Sequence, residues 1–219
     1  MPSPPNLDIC CFHADIGRGY LPLIQNMTAS AKRVMPYART ILLTTTPSNE
    51  LGECFDKMVD LSEHIQTTEY TVCIDRVRAQ VSWQANTKNR TIYTDPDIEY
   101  HREVEFGDFD VGLLWRPRKP DQPINTGIVL AEPGCKEFWG RYGAIAYNLP
   151  QAIHSWWCDQ LAYNILLGTL HKAGETVQAY DARVKLFNMT DHCTPREKAT
   201  TDNPWAWHDK GRRKWKEAA

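Results

Sequence analysis

The strongest constraint on this chain's fold is the order of apolar patterns in its first 45 residues. Leu7-Asp-Ile-Cys-Cys-Phe12 is a short, mostly apolar run, followed by polar and Gly-containing residues from His13 to Gly19. A buried strand feeding a loop produces that pattern. Leu23, Met27, Ala31 and Val34 then recur at helical spacing between Leu21 and Tyr37. Thr40-Ile-Leu-Leu-Thr-Thr45 is a second buried run, closed by Pro47. Strand, helix, strand in that order predicts an α/β fold built on a parallel sheet.

The same reading continues downstream. A helix is predicted over Thr71 to Ala85, with Val72, Arg76, Ala79 and Trp83 on about one face. Thr91 to Thr94 reads as a strand ending in Asp95-Pro-Asp97, and Val111 to Trp115 and Thr126 to Ala131 as two more. The polar, Pro-rich stretch Arg116 to Pro123 between those two is expected to be a mobile surface loop. Lys136 to Tyr147 and Asp159 to Leu170 read as helices, and Arg183 to Ala219 as short strand pieces and loops. With 219 residues and neither linker nor repeat, residues 1–219 are expected to form one domain.

Composition narrows the function classes. The net charge of -2 argues against a globally nucleic-acid-binding or membrane-surface protein. No apolar run is long enough to span a bilayer, and Met1-Pro-Ser-Pro-Pro-Asn6 lacks the pattern of a signal peptide. The seven Cys show no metal spacing, and the adjacent Cys10 and Cys11 should point to opposite faces of a strand. Reduced packing cysteines imply a reducing, cytoplasmic setting. The Asn-X-Thr triplets at Asn26, Asn89 and Asn188 then have no glycosylation role. Eight Trp are many, and most are expected to serve the core.

Four segments carry candidate chemistry. Asp95-Pro-Asp97 puts two carboxylates just past a strand's C-terminal end, where open α/β sheets bind ligands. Hard divalent cations such as Mg²⁺ or Mn²⁺ favour such oxygen ligands and bridge readily to a diphosphate. Pro96 stiffens the segment, although Asp and Pro also make plain surface turns. Asn125-Thr-Gly127 opens a buried strand, with Gly127 allowing close backbone approach to a ligand and Asn125 offering a donor and an acceptor. Asp159 and Gln160 begin an apolar helix, and Asp159 is placed to be its N-cap. Finally, His208 lies six residues before Lys214 with Gly211 between them, in a basic segment suited to phosphate.

Taken in order, these segments resemble the GT-A fold of nucleotide-sugar glycosyltransferases, a Rossmann-like α/β domain with a mostly parallel sheet flanked by helices. The resemblance rests on the opening strand–helix–strand, the helix with Arg76 and Gln80, Arg90-Thr-Ile-Tyr-Thr-Asp-Pro-Asp97 as an Asp-x-Asp motif, Asn125-Thr-Gly-Ile-Val-Leu130, and Asp159-Gln160 with Asn164. His208-Asp-Lys-Gly-Arg-Arg-Lys-Trp215 is similar to the closing His-x-x-Gly-x-x-Lys-Pro-Trp segment of the glycogenin and galactosyltransferase-like branch. It covers about residues 7 to 216. The chain departs from the pattern in Pro96, in lacking Pro between Lys214 and Trp215, and in its short length.

That resemblance implies roles. Asp95, Asp97 and His208 would hold Mn²⁺ or Mg²⁺, with Asp95 also near the donor's ribose. Gly211 and Lys214 would contact the diphosphate, Arg76 the nucleotide or donor sugar, and Phe12 to Tyr20 the nucleobase. Asn125, Asp159 and Gln160 would line the sugar and acceptor side, and transfer would proceed with retention. The residues alone leave two other readings open. One is a Mg²⁺-dependent phosphohydrolase or nuclease, since paired Asp also serves two-metal chemistry. The other is a non-catalytic nucleotide-sugar-binding module. The acceptor stays open among glycan, small molecule, protein and modified nucleic acid. Two basic groups could meet phosphates: Lys198 with Lys210, Arg212, Arg213, Lys214 and Lys216, and Arg102 with Arg116, Arg118 and Lys119.

Overall fold

A computed structural model describes residues 6–17, 19–116, 119, 121–168, 171–194 and 204–208. The opening prediction is met: β1 (Leu7–His13), α1 (Leu21–Val34) and β2 (Arg39–Thr44) form a parallel unit, with Ile9 opposite Thr40 and Phe12 opposite Leu43. A helix over Asn49–Cys54 (α2) and an edge strand over Lys57–Asp60 (β3) follow; both are too short and too exposed to show a period in the sequence. Then come α3 (Val72–Asn86), β4 (Arg90–Thr94), β5 (Ile98–Tyr100), β6 (Val111–Trp115) and β7 (Ile124–Ala131). The chain continues with α4 (Lys136–Asn148), α5 (Cys158–Leu167), β8 (Thr176–Ala179), β9 (Ala182–Asn188), α6 (Met189–His192), β10 (Cys193–Thr194) and β11 (Ala206–His208).

Eight strands form one twisted sheet in the order β3-β2-β1-β4-β7-β6-β9-β8. Six run one way; β7 and β8 run against them, because β7 pairs antiparallel with β4 and β6, and β8 with β9. The sheet is therefore mixed on one side and parallel from β3 to β4. Alternation along β1 sends Cys10 and Phe12 to one core and Leu7, Ile9 and Cys11 to the other, as neighbours in a strand must. The first core is covered by α3, α4 and α5, where Phe138, Trp139, Tyr142 and Tyr163 pack ring on ring. The second lies under α1 and a small sheet of β10, β11 and β5.

Two features of this frame position the candidate side chains. In β7, Leu113 faces Val129 but Leu114 faces Asn125, so Thr126 to Ile128 are extra residues relative to β6. Such a bulge bends the strand and re-aims its side chains. Across the second sheet, β11 runs antiparallel to β5 with His208 opposite Ile98, one residue after Asp97. A residue more than a hundred positions downstream is thereby set beside the Asp95-Pro-Asp97 turn. The region predicted as loose strand pieces thus includes β9, a full strand of the main sheet.

Candidate active site

Asp95 follows the last residue of β4, at the carboxyl end of the parallel strands. Its backbone N–H donates to the Gly127 carbonyl at 2.9 Å, and its carbonyl accepts from Ile98 N–H at 3.3 Å. That second bond closes a turn with Pro96 at its second position, which the fixed φ of proline suits. The stiff turn holds both carboxylates, and β11 presents His208 to them. The imidazole Nε2 lies 3.4 Å from Asp95 Oδ2 and 3.3 Å from Asp97 Oδ1. One ligand atom from each of Asp95, Asp97 and His208 falls within 4.8 Å of the others, and theirs is the one such group found among the described residues. Two carboxylates and an imidazole are a donor set suited to Mn²⁺ or a similar divalent ion.

Gly127 explains how the ring fits. A Cβ at this position would lie 2.6 Å from both Cε1 and Nδ1 of His208 and 2.9 Å from Asn125 Oδ1. The expectation of a close approach at Gly127 is met, but the approaching group is a protein imidazole rather than a ligand. Burial alone would lower the His208 pKa. The charge of Asp97 and hydrogen bonds to Asp95 and Asp97 outweigh it and hold the value well above the ordinary histidine range.

Arg76, on α3, ties this turn to α5. Its Nη1 is 2.6 Å from Asp95 Oδ1 and 3.4 Å from Asp159 Oδ2, and its Nη2 donates to the Thr126 carbonyl. Thr126 Oγ1 donates to the same Asp159 oxygen at 2.7 Å. Burial opposes the charge on Arg76, but Asp95 and Asp159 outweigh it, so the guanidinium stays protonated. Asp159 is not the N-cap that the sequence suggested. Trp157 occupies that position with φ 78°, and Asp159 sits in the first turn, its Oδ1 accepting from Gln160 N–H at 2.8 Å. Gln160 is held in turn: Arg116 donates to its Oε1 at 2.7 Å and to the Ile124 carbonyl.

These groups face a cleft of about 670 Å³. Phe12, Arg76, Asp95, Asp97, Asp159, Gln160 and His208 all line it, together with His13 at the end of β1 and Tyr20 just before α1. Asn125 is placed differently. It is buried beneath the bulge, its Oδ1 accepts from Gly127 N–H at 3.1 Å, and Thr126 takes the place on the cleft wall. Gly211 and Lys214 lie outside the described residues. Sequence reasoning missed Thr126 and Arg116, which act through the bulge and through a backbone carbonyl, and neither leaves a pattern. It also missed a lip of Tyr70, Trp156 and Trp157, although the Trp-Trp pair before a helix was visible.

No protein-family model and no curated protein sequence matches this chain. Solved structures do. A glycosyltransferase involved in the glycosylation of the major capsid of PBCV-1 aligns with TM-score 0.61 at 12% identity, over 97% of this chain and 98% of that one. Galactosyltransferase LgtC, in complex with donor and acceptor sugar analogues, aligns with TM-score 0.58 at 12% identity over 93% and 87%. Glycosyltransferase GlyE of Streptococcus pneumoniae TIGR4 gives 0.54 at 13% identity, over 85% of this chain and 46% of that one. The chain has the GT-A fold that the sequence resemblance implied.

Proposed function

We propose that this protein is a glycosyltransferase that takes a sugar from a nucleoside-diphosphate donor with the help of a divalent cation, and that it retains the anomeric configuration. The observation that carries the reading is the convergence of Asp95, Asp97 and His208 on the floor of a cleft at the strands' carboxyl ends. Transfer makes a bond from an acceptor hydroxyl oxygen to the anomeric carbon and breaks that carbon's bond to the diphosphate. The leaving electron pair goes to the diphosphate and the hydroxyl proton to solvent or to a base. Asp95, Asp97 and His208 would hold Mn²⁺ or Mg²⁺, which supplies Lewis-acid neutralisation of the leaving group when bound.

The chain's own residues do the rest. Arg76 is kept charged between Asp95 and Asp159, and so fixes the orientation of both carboxylates. Asp159, on the cleft wall, would shelter developing positive charge on the sugar, with Thr126 orienting its oxygen and Arg116 orienting Gln160. Phe12, His13 and Tyr20 form the wall proposed for the nucleobase. In the segment outside the described residues, Gly211 and Lys214 are proposed to meet the diphosphate. Asn125 is proposed to act on the donor sugar through the bulge it supports.

A thermal-shift screen of nucleoside diphosphates and their sugars, each with and without Mn²⁺, tests this. A bound donor raises stability by mass action, by about 2.7 kcal/mol at a hundredfold excess over Kd. One base should shift the melting temperature in a Mn²⁺-dependent way, and its sugar conjugate should be turned over. Shifts by no nucleotide, or equal shifts with and without the ion, would remove the proposal.

A further inference from the structure

We infer that Tyr70, Trp156 and Trp157 form an acceptor platform for the pyranose ring of a glycan; this rests on the transferase reading above. All three line the cleft and all three are exposed, at 67%, 59% and 45%. Trp156 and Trp157 are the exposed tryptophans among the described residues; Trp83, Trp115, Trp139 and Trp205 pack into or against the core, and Trp207 lies against the His101 ring. Large aromatic surface left in water beside a polar cleft marks a contact surface. It comes here from two separate elements, the segment before α3 and the turn before α5.

The backbone points the same way. Trp157 has φ 78°, a conformation that L side chains rarely adopt and glycine adopts freely. The turn is nevertheless firmly built. The His154 carbonyl accepts from Cys73 and Ile74 N–H of α3, and Trp157's own carbonyl accepts from Leu161 N–H. A bulky residue held in a strained, exposed position by a well-bonded frame is the mark of a functional constraint. Asp159 and Gln160 follow at once in the chain, so a ring seated on the indoles lies next to the site of transfer.

Charge selects the occupant. Among the described residues of the cleft wall, Glu69 and Asp159 are the charged side chains next in the chain to the aromatic lip, while Arg76 and His208 are engaged by Asp95, Asp97 and Asp159. A phosphodiester backbone laid on the lip would meet these two carboxylates, outside the Asp95, Asp97 and His208 group that would hold the ion for the diphosphate. Part of the basic group around residues 102 to 119 is also spent internally: Arg102 pairs with Glu105, and Arg116 turns to Gln160 and the Ile124 carbonyl. A neutral pyranose fits better. Its axial C–H face stacks on an indole, and its hydroxyls donate to Glu69 and Asp159.

Saturation-transfer NMR with methyl gluco-, galacto-, manno- and rhamnopyranosides, and with an oligothymidylate, tests the inference on the full chain with Mn²⁺ and a nucleoside diphosphate. At least one glycoside should receive saturation at its ring C–H protons. Trp156→Ala should raise its Kd at least about tenfold, while Trp156→Phe stays within about threefold. Trp157→Gly should melt no lower than Trp156→Ala, because its backbone suits glycine, and should also lose the glycoside. Binding of no glycoside, equal binding by Trp156→Ala, or preference for the oligothymidylate would overturn the platform. Glycoside binding that Trp156→Ala loses, without any Mn²⁺-dependent nucleotide shift, would uphold a pyranose-binding surface and sink its acceptor role together with the transferase reading.

Discussion

Gly127 is the residue on which the site's geometry turns. Its missing side chain leaves the space that the His208 ring occupies, and an added methyl would meet the ring at 2.6 Å. Since His208 is fully buried, the ring cannot swing into solvent to make room. Gly127→Ala should therefore cost about 1–3 kcal/mol of stability, the usual range for overpacking, and lower Mn²⁺ affinity more than about tenfold. Chemical denaturation and calorimetric ion titration on the same protein read both effects. Unchanged ion affinity in this variant would mean that the ring's position does not matter. That Gly127 makes room could be read in the sequence. That the room is for a histidine more than eighty residues away could not, because only the pairing of β11 with β5 creates the contact.

At the scale of elements, β11 supplies one of the three side chains of the proposed ion site, and it exists only by pairing across the second sheet. A chain ending at residue 203 lacks β11 and the buried Trp205 just before it. It should keep the far-ultraviolet signal of the large sheet and lose about 3–5 kcal/mol through the missing tryptophan. It should also bind Mn²⁺ no better than full-length His208→Ala. Ion binding at wild-type strength by the shortened chain would show that the acidic turn suffices. The long periodic elements α1, α3, α4 and α5, and the strongly apolar β1, β2, β4, β6 and β7, were legible within a few residues. The strands β3, β5, β8, β10 and β11 have two to four residues each. At that length, pairing partners rather than local pattern decide the conformation. The same reasoning explains Asp159: its capping chemistry was visible, but the strained Trp157 that displaces it from the N-cap was not.

Across the whole molecule, the fold gathers side chains from six separate stretches onto one cleft: the end of β1, α3, the turn after β4, the bulge of β7, the start of α5 and β11. The order of short motifs along the sequence was enough to name the GT-A fold, and the solved structures share it at 12% and 13% identity. At such identity most aligned side chains differ. The Asp95-Pro-Asp97 turn and His208 were more legible than the aromatic lip, whose side chains sit on turns with no period. Calorimetric titration of Mn²⁺ into the wild-type protein, Asp95→Asn, Asp97→Asn and His208→Ala tests the shared ion site most directly. One ion should bind per chain, and each substitution should weaken it at least about tenfold while the protein stays folded. Wild-type affinity in a well-folded Asp97→Asn or His208→Ala would contradict the account.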